Sequence, residues 1–289
     1  MEGLRACRYT VLDVFTATRL QGNALAVVHD ADGVPDAVMH AFAREVRLSE
    51  TSFLQSPSVP EADYRNRIWM MGGEIPFAGH PSLGAAAAVA RVRAEPTATY
   101  VQETGAGLQP IDVEVDDALA RVSMLQEPAE FGAELDPGEV LGTLGLDEDV
   151  ADPELPCQVV STGLPHVIAP VREERMLARV LPDYDRIAQV LGPLGCVVVY
   201  LVHVEPGRGT ARARAFTRDA ETGEDPATGS AAGPLAAYVA QRTGALRLDI
   251  TQGEEMGRGS RLHTEIEGDR PRVGGDVVVL VDGTVFLDT

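Results

Sequence analysis

Two short glycine-containing turns, each opening a helix built largely from small residues, most constrain how this chain can fold. The first reads Ala78-Gly79-His80-Pro81-Ser82-Leu83-Gly84-Ala85-Ala86, and the second Ala227-Thr228-Gly229-Ser230-Ala231-Ala232-Gly233-Pro234. Small side chains let a helix be wrapped closely by β-structure, so each turn predicts the central helix of an α+β domain. At 289 residues the chain exceeds a usual single core of about 150 residues, which also points to two domains.

The segments around the turns run in a similar order in both halves. Tyr9 to Phe15 and Ala24 to Val28 read as a strand hairpin across the turn-like Gly22-Asn23. Residues 35 to 47 place Val38, Phe42 and Val46 on one stripe of an amphipathic helix. A short strand is expected at 48 to 55, another at 64 to 70, a helix at 81 to 91, and alternating strands at 111 to 115 and 119 to 124. In the second half, strands at 159 to 160 and 167 to 168 flank Thr162-Gly163-Leu164-Pro165-His166, and a helix follows at 184 to 191. Cys196 to Val204 is the strongest buried strand, because β-branched residues fill an unbroken apolar run. A strand at 212 to 217, a helix at 229 to 241 and last strands at 277 to 281 and 284 to 287 complete the half. The expected domains are 1–118 and 119–282, with a final strand at 283–289 as a candidate to complete the first.

Composition excludes several classes of function. The formal charge of −20, from 44 acidic and 24 basic residues, repels phosphate backbones and anionic lipid, so neither nucleic acid nor membrane is an expected partner. Every basic residue is arginine. Without lysine there is no Schiff base to pyridoxal phosphate or a ketone, and no Walker-loop lysine. Cys7, Cys157 and Cys196 lack any metal-ligand spacing and read as small core residues. The first fifteen residues lack the apolar core of a signal peptide, and no stretch nears the ~20 apolar residues that span a bilayer, so a cytoplasmic location is expected.

Both turns leave the first backbone N–H groups of a helix available to a carboxylate or other anion. Pro81 suits a first helical position, where a missing N–H costs nothing, whereas Pro234 falls about a turn inside its helix. Glu50 sits in the apolar-flanked strand Leu48-Ser49-Glu50-Thr51-Ser52-Phe53-Leu54, where burial would raise its pKa and suit it to proton transfer. Taken alone it reads more readily as a solvent-facing residue of a half-buried strand. Similarly, His80 alone is a helix cap or surface residue, Asp225 before proline a turn residue, and Ser230 an N-cap. A hydrolase using Ser230 lacks the GxSxG setting.

Together, the strings GNALAVV (22 to 28), LSETSFL (48 to 54), GEIPFAGHPSLGAA (73 to 86), STGLPH (161 to 166) and GEDPATGSAA (223 to 232) resemble the PhzF (phenazine biosynthesis) family, in the family's order and across nearly the whole chain. The resemblance implies a diaminopimelate epimerase-like fold of two similar domains, each wrapping β-structure around a central helix, with the site between them. It implies a homodimer without metal or organic cofactor that isomerises a small carboxylated substrate, as trans-2,3-dihydro-3-hydroxyanthranilate isomerase does. The family's acid-base glutamate falls on Glu50, and its substrate-contacting histidine and aspartate on His80 and Asp225. Substrate binding is expected at Gly79, Ser82, Gly229 and Ser230. Epimerases of the same fold use two cysteines, whose slots here read Ala78 and Pro226. The chain departs from the family at Phe216-Thr217-Arg218, where Arg218 is expected to pair with a substrate carboxylate or with Glu221, and at Ala24, where proline is common. A small-molecule-binding protein that has lost turnover is the alternative.

Overall fold

The computed structural model describes residues 3–117 and 119–289. The elements of the first half are β1 (Leu4–Val14), β2 (Asn23–Val28), α1 (Asp36–Val46), β3 (Glu50–Gln55), β4 (Tyr64–Met70), β5 (Gly73–Ile75), α2 (Gly79–Arg93), β6 (Thr97–Thr104), β7 (Gly107–Asp116) and β8 (Leu119–Leu125). Then follow β9 (Glu130–Glu134), α3 (Pro137–Gly142), β10 (Gln158–Ser161), β11 (Pro165–Pro170), α4 (Tyr184–Leu194), β12 (Val198–Glu205), β13 (Thr210–Thr217), β14 (Glu224–Asp225), α5 (Gly229–Thr243), β15 (Arg247–Gln252), β16 (Ser260–Glu267) and β17 (Arg270–Asp288). Two compact units result, one ending at Met124 and rejoined by Gly274–Thr289, the other Leu125–Val273.

The unit boundaries differ from the expected ones. Ala118, the expected end of the first domain, lies outside the described residues. β8 pairs antiparallel with β7 from Asp116↔Leu119 to Ile111↔Met124 and so belongs to the first unit. β17 pairs with β1 all the way from Val277 to Asp288, so the chain rejoins the first unit at Gly274 rather than at 283.

The strand pairings of the units repeat one another. In the first, β1–β2 is antiparallel, β2–β3 parallel, β3–β4 and β4–β5 antiparallel, β4–β6 parallel and β6–β7 antiparallel. In the second, β10–β11, β11–β12, β12–β13, β13–β14, β13–β15 and β15–β16 follow the same sequence of directions. In the first unit β8 pairs onward to β17, and β17 to β1, closing the strands into a barrel.

Each unit wraps its strands around one helix. In α2 every residue from Gly79 to Ala90 is buried, and in α5 Gly229 and Ala231 to Val239 are buried. A preponderance of small side chains lets strands approach a helix closely on all sides. A Cβ added at Gly84 would stand 2.6 Å from Leu25 Cδ2, and one at Gly233 would collide with Gln126 Oε1. Outer helices cover the other sheet faces. Met39 and Ala43 form the buried face of α1, with Val38 and Phe42 half-buried beside them. That face is turned one residue from the expected 38/42/46 stripe. In the second unit Ile187 and Leu191 of α4 pack with Val140 and Leu141 of α3.

Several strands (β6, β9, β15, β16) and α3 appear where the sequence pattern predicts no element. Pro81 is the third residue of α2 rather than the first, still within the turn whose N–H groups lack intrahelical partners. Pro234 is the sixth residue of α5, as its place in the sequence predicts.

Candidate active site

The first unit brings Glu50 and His80 together. Glu50 is the first residue of β3 rather than mid-strand, because the parallel ladder with β2 begins at Leu25↔Glu50. Its side chain is 13% exposed, well below a solvent-facing glutamate. His80, the second residue of α2, is buried, so it is neither a cap nor a surface residue. Its Nε2 stands 3.3 Å from Glu50 Oε2, and its Nδ1 stands 3.3 Å from Nδ2 of the buried Asn23 at the head of β2. Burial pushes the His80 imidazole down to about 3, opposed only in part by the backbone at Ala24. The ring is therefore neutral at physiological pH, and its contact with Glu50 is dipole to carboxyl rather than an ion pair. An amide N–H of Asn23 facing Nδ1 favours the tautomer with the proton on Nε2, toward Glu50.

Gly79 opens α2, so its N–H is among those the helix leaves unbonded. Ser82 is fully buried, and its hydroxyl donates to the Ala78 carbonyl at 2.8 Å.

The second unit holds Asp225, Gly229 and Ser230. Asp225 ends β14, a two-residue strand laid on β13 at Ala215↔Asp225. Its Oδ2 accepts from Thr228 Oγ1 at 2.6 Å. Gly229 is the first residue of α5, and the half-buried Ser230 the second, the place His80 takes in α2. Gln126 Nε2 donates to the Gly229 carbonyl at 3.0 Å, and Thr162 Oγ1 donates to Gln126 Oε1 at 2.6 Å. His166, of the same STGLPH string as Thr162, is fully buried and pushed down to about 4 by desolvation, with the Ser230 backbone acting in the opposite direction.

A further network around Gln252, and the Asn23–His80 contact, go beyond what the spacing singles out. Asn23 stood only in a turn and a family string, and Gln252 carried no signal, since its partners lie 24 or more residues away. Further expectations change, among them Ser230 as an N-cap, since it is the second residue of α5. The residues preceding the helices as N-caps are Ala78 and Thr228, so Thr228 rather than Pro226 matches Ala78. Arg218 is exposed and forms no ion pair among the described residues, so the Arg218–Glu221 pair is absent.

Neither helix head carries a thiol. Cys7, Cys157 and Cys196 are free and buried, and burial raises all three, Cys157 to about 12 and Cys196 to about 11. Such thiols stay protonated at neutrality. Among the described residues, no group of three or more His, Cys, Asp and Glu side chains is placed to hold a metal ion. No helix among them is long and apolar enough to cross a membrane.

The family model of phenazine biosynthesis-like proteins (PhzC-PhzF) matches residues 12–284. An uncharacterised isomerase of Mesorhizobium japonicum is 34% identical over 96% of this chain and 98% of its own length. The trans-2,3-dihydro-3-hydroxyanthranilate isomerase of Pseudomonas aeruginosa is 33% identical over 97% of this chain and 98% of its own. Among solved structures, a predicted epimerase from Pseudomonas aeruginosa superposes with a TM-score of 0.86 at 34% identity, covering 96% of this chain and 99% of that one. The matched span, the repeated helix heads and the paired glutamate and histidine agree: the chain belongs to the phenazine biosynthesis-like (PhzC-PhzF) protein family, and as an enzyme it is an isomerase.

Proposed function

We propose that this isomerase moves a proton between carbons of a small carboxylated substrate by acid-base catalysis at Glu50, as its trans-2,3-dihydro-3-hydroxyanthranilate isomerase relatives suggest. The observation that carries the reading is the Glu50 carboxyl held against the buried, neutral imidazole of His80 at the head of α2. Glu50 as carboxylate takes the proton from one carbon, and the electron pair of that C–H bond spreads into the conjugated substrate. Glu50, now a carboxylic acid, returns the proton to a second carbon. No electrons are gained or lost overall. The neutral His80 imidazole, with Nε2 3.3 Å from Oε2, lies beside the carboxyl without pinning it as an ion pair. Free N–H groups at the Gly79 helix head suit an oxygen on which negative charge develops. On the family pattern Asp225, Gly229 and Ser230 bind the substrate's polar groups, and neither metal nor organic cofactor takes part.

The test is incubation of trans-2,3-dihydro-3-hydroxyanthranilate with the enzyme in heavy water, before and after dialysis against a chelator. The expected result is isomerised product carrying solvent deuterium at the new C–H position, at the same rate after dialysis. Recovery of the compound bound but chemically unchanged would instead identify a binding protein without turnover.

A further inference from the structure

Gln252, the last residue of β15, is 1% exposed, and its side-chain amide makes four hydrogen bonds. Its Nε2 donates to the Asp225 carbonyl at 2.7 Å and to Thr228 Oγ1 at 3.0 Å. Its Oε1 accepts from the Thr228 backbone N–H at 3.2 Å and from the hydroxyl of the fully buried Tyr200 at 2.9 Å. An amide has two donor hydrogens and one oxygen with two lone pairs, so all four capacities are used. A flipped amide would turn N–H toward N–H and oxygen toward oxygen, so only one orientation is possible.

That orientation fixes a neighbouring proton. Thr228 has one hydroxyl hydrogen, and the Gln252 N–H occupies a lone pair of its oxygen. The hydrogen is thereby sent to Asp225 Oδ2, 2.6 Å away. One amide thus holds the backbone of Asp225, the hydroxyl that binds its carboxylate and the N-cap residue of α5. The turn beneath is clamped as well. Ser260 Oγ donates to the Pro226 carbonyl at 3.0 Å, and Gly253 passes so close that an added Cβ would lie 2.6 Å from that same oxygen.

The first unit lacks this device. There β4 pairs with β6 in parallel at Arg65↔Glu103, as β13 pairs with β15 at Arg212↔Thr251, so Thr104 takes the place of Gln252. Thr104 bonds within its own hairpin, to Gly107 and Gln109. Asp225 and Thr228 likewise have Ile75 and Ala78 as counterparts.

We propose that Gln252, steadied by Tyr200, is the positioning residue for Asp225, setting its carboxylate through the Thr228 hydroxyl. The inference rests on the reading of Asp225 as a substrate-binding group. Its test compares Gln252→Leu, Asp225→Asn and the double variant, with deuterium incorporation into trans-2,3-dihydro-3-hydroxyanthranilate as the readout. Gln252→Leu is expected to lower kcat/KM about 10- to 100-fold, the cost of stranding buried polar partners. In the Asp225→Asn background it should lower it by less than about twofold, because the two act as one unit. An equal loss in both backgrounds, or no loss in the first, overturns the proposal.

Should Gln252→Leu fail to fold, Gln252→Glu keeps the shape but, once ionised, cannot donate to Asp225 or Thr228. Its activity should be low at neutral pH and recover on acidification, and a profile parallel to wild type overturns the proposal. Should the wild type not turn over this compound, the functional reading fails separately. The amide's hold is then read from hydrogen exchange at Thr228 N–H. That exchange should quicken at least about tenfold in Gln252→Leu, and an unchanged rate overturns the proposal.

Discussion

The two helix heads share a frame and differ in the groups they display. Gly73-Glu74-Ile75-Pro76-Phe77-Ala78-Gly79-His80 repeats as Gly223-Glu224-Asp225-Pro226-Ala227-Thr228-Gly229-Ser230. Each glutamate is gripped by both sides of an arginine fork, Arg67 on Glu74 at 2.7 and 2.6 Å and Arg214 on Glu224 at 2.8 and 2.7 Å. Each arginine lies over an aromatic ring two residues on, Trp69 at 5.4 Å and Phe216 at 5.0 Å. The reactive positions diverge. Ile75, Ala78 and His80 in one head correspond to Asp225, Thr228 and Ser230 in the other. Glu50, the first residue of β3, has Val198, the first of β12, as its counterpart, since Thr51↔Trp69 and Val199↔Phe216 match. A duplicated scaffold thus keeps the parts that hold the turn, while Glu50, the proposed proton carrier, lies in one unit and the wired Asp225 carboxylate in the other.

The largest expected effect is on acid stability, to which the first unit brings two buried neutral histidines and the second one. His80 is held down at about 3 and His166 at about 4, as is the buried His29, all mainly by desolvation from an ordinary 6.5. The unfolded chain therefore takes up these protons first. The stability is fully present above about pH 6.5 and lost as pH falls toward 4 and 3, at roughly 1.4 kcal/mol per pH unit for each histidine. Urea unfolding across this range should show the loss, and His80→Gln and His166→Gln should each flatten it. A flat wild-type profile would contradict the neutral imidazoles.

The arginine clamps should separate the units. The side chains of Arg214 and Glu224 are 10% and 13% exposed, against 13% and 37% for Arg67 and Glu74. Arg214→Met strands a buried carboxylate and should cost about 3–5 kcal/mol. Arg67→Met leaves Glu74 within reach of water and should cost about 1 kcal/mol. Equal losses in urea unfolding would show the clamps to be equivalent.

Overpacking the central helices gives a smaller contrast. Gly84→Ala presses on Leu25 Cδ2 and Val14 Cγ2, flexible side-chain ends, and should cost about 1 kcal/mol. Gly233→Ala meets Gln126, which is fastened to Gly229 and Thr162, and should cost about 3 kcal/mol. The reverse order of Tm would mean that Gln126 gives way. Arg218→Ala should move stability by less than about 0.5 kcal/mol. Any effect it has on KM would report a substrate carboxylate.

The central helices were legible because a run such as Gly84 to Ala90 suits few places other than the inside of a barrel. The pairing around them was less so. Leu248 and Ile250 in β15 and Leu262 in β16 are the buried anchors of strands otherwise rich in polar residues, too few to mark an alternation. At the candidate site, the family strings singled out Glu50 and His80, and their burial and neutral contact needed coordinates. Gln252 was silent in sequence because its importance arises from residues brought together across 24 to 52 positions. The unit boundaries differ from the expected domains for the same reason, since β17 runs from one unit into the other and its return at Gly274 is fixed by long-range pairing with β1.

The most direct test of a proton carrier in one unit alone is solvent deuterium incorporation by wild type and Glu50→Gln, at matched fold and concentration. Glu50→Gln preserves shape and hydrogen bonding while removing the base. The expected result is a fall in exchange of about 10^2- to 10^4-fold with substrate binding retained. Equal exchange by the two proteins would contradict the assignment of Glu50.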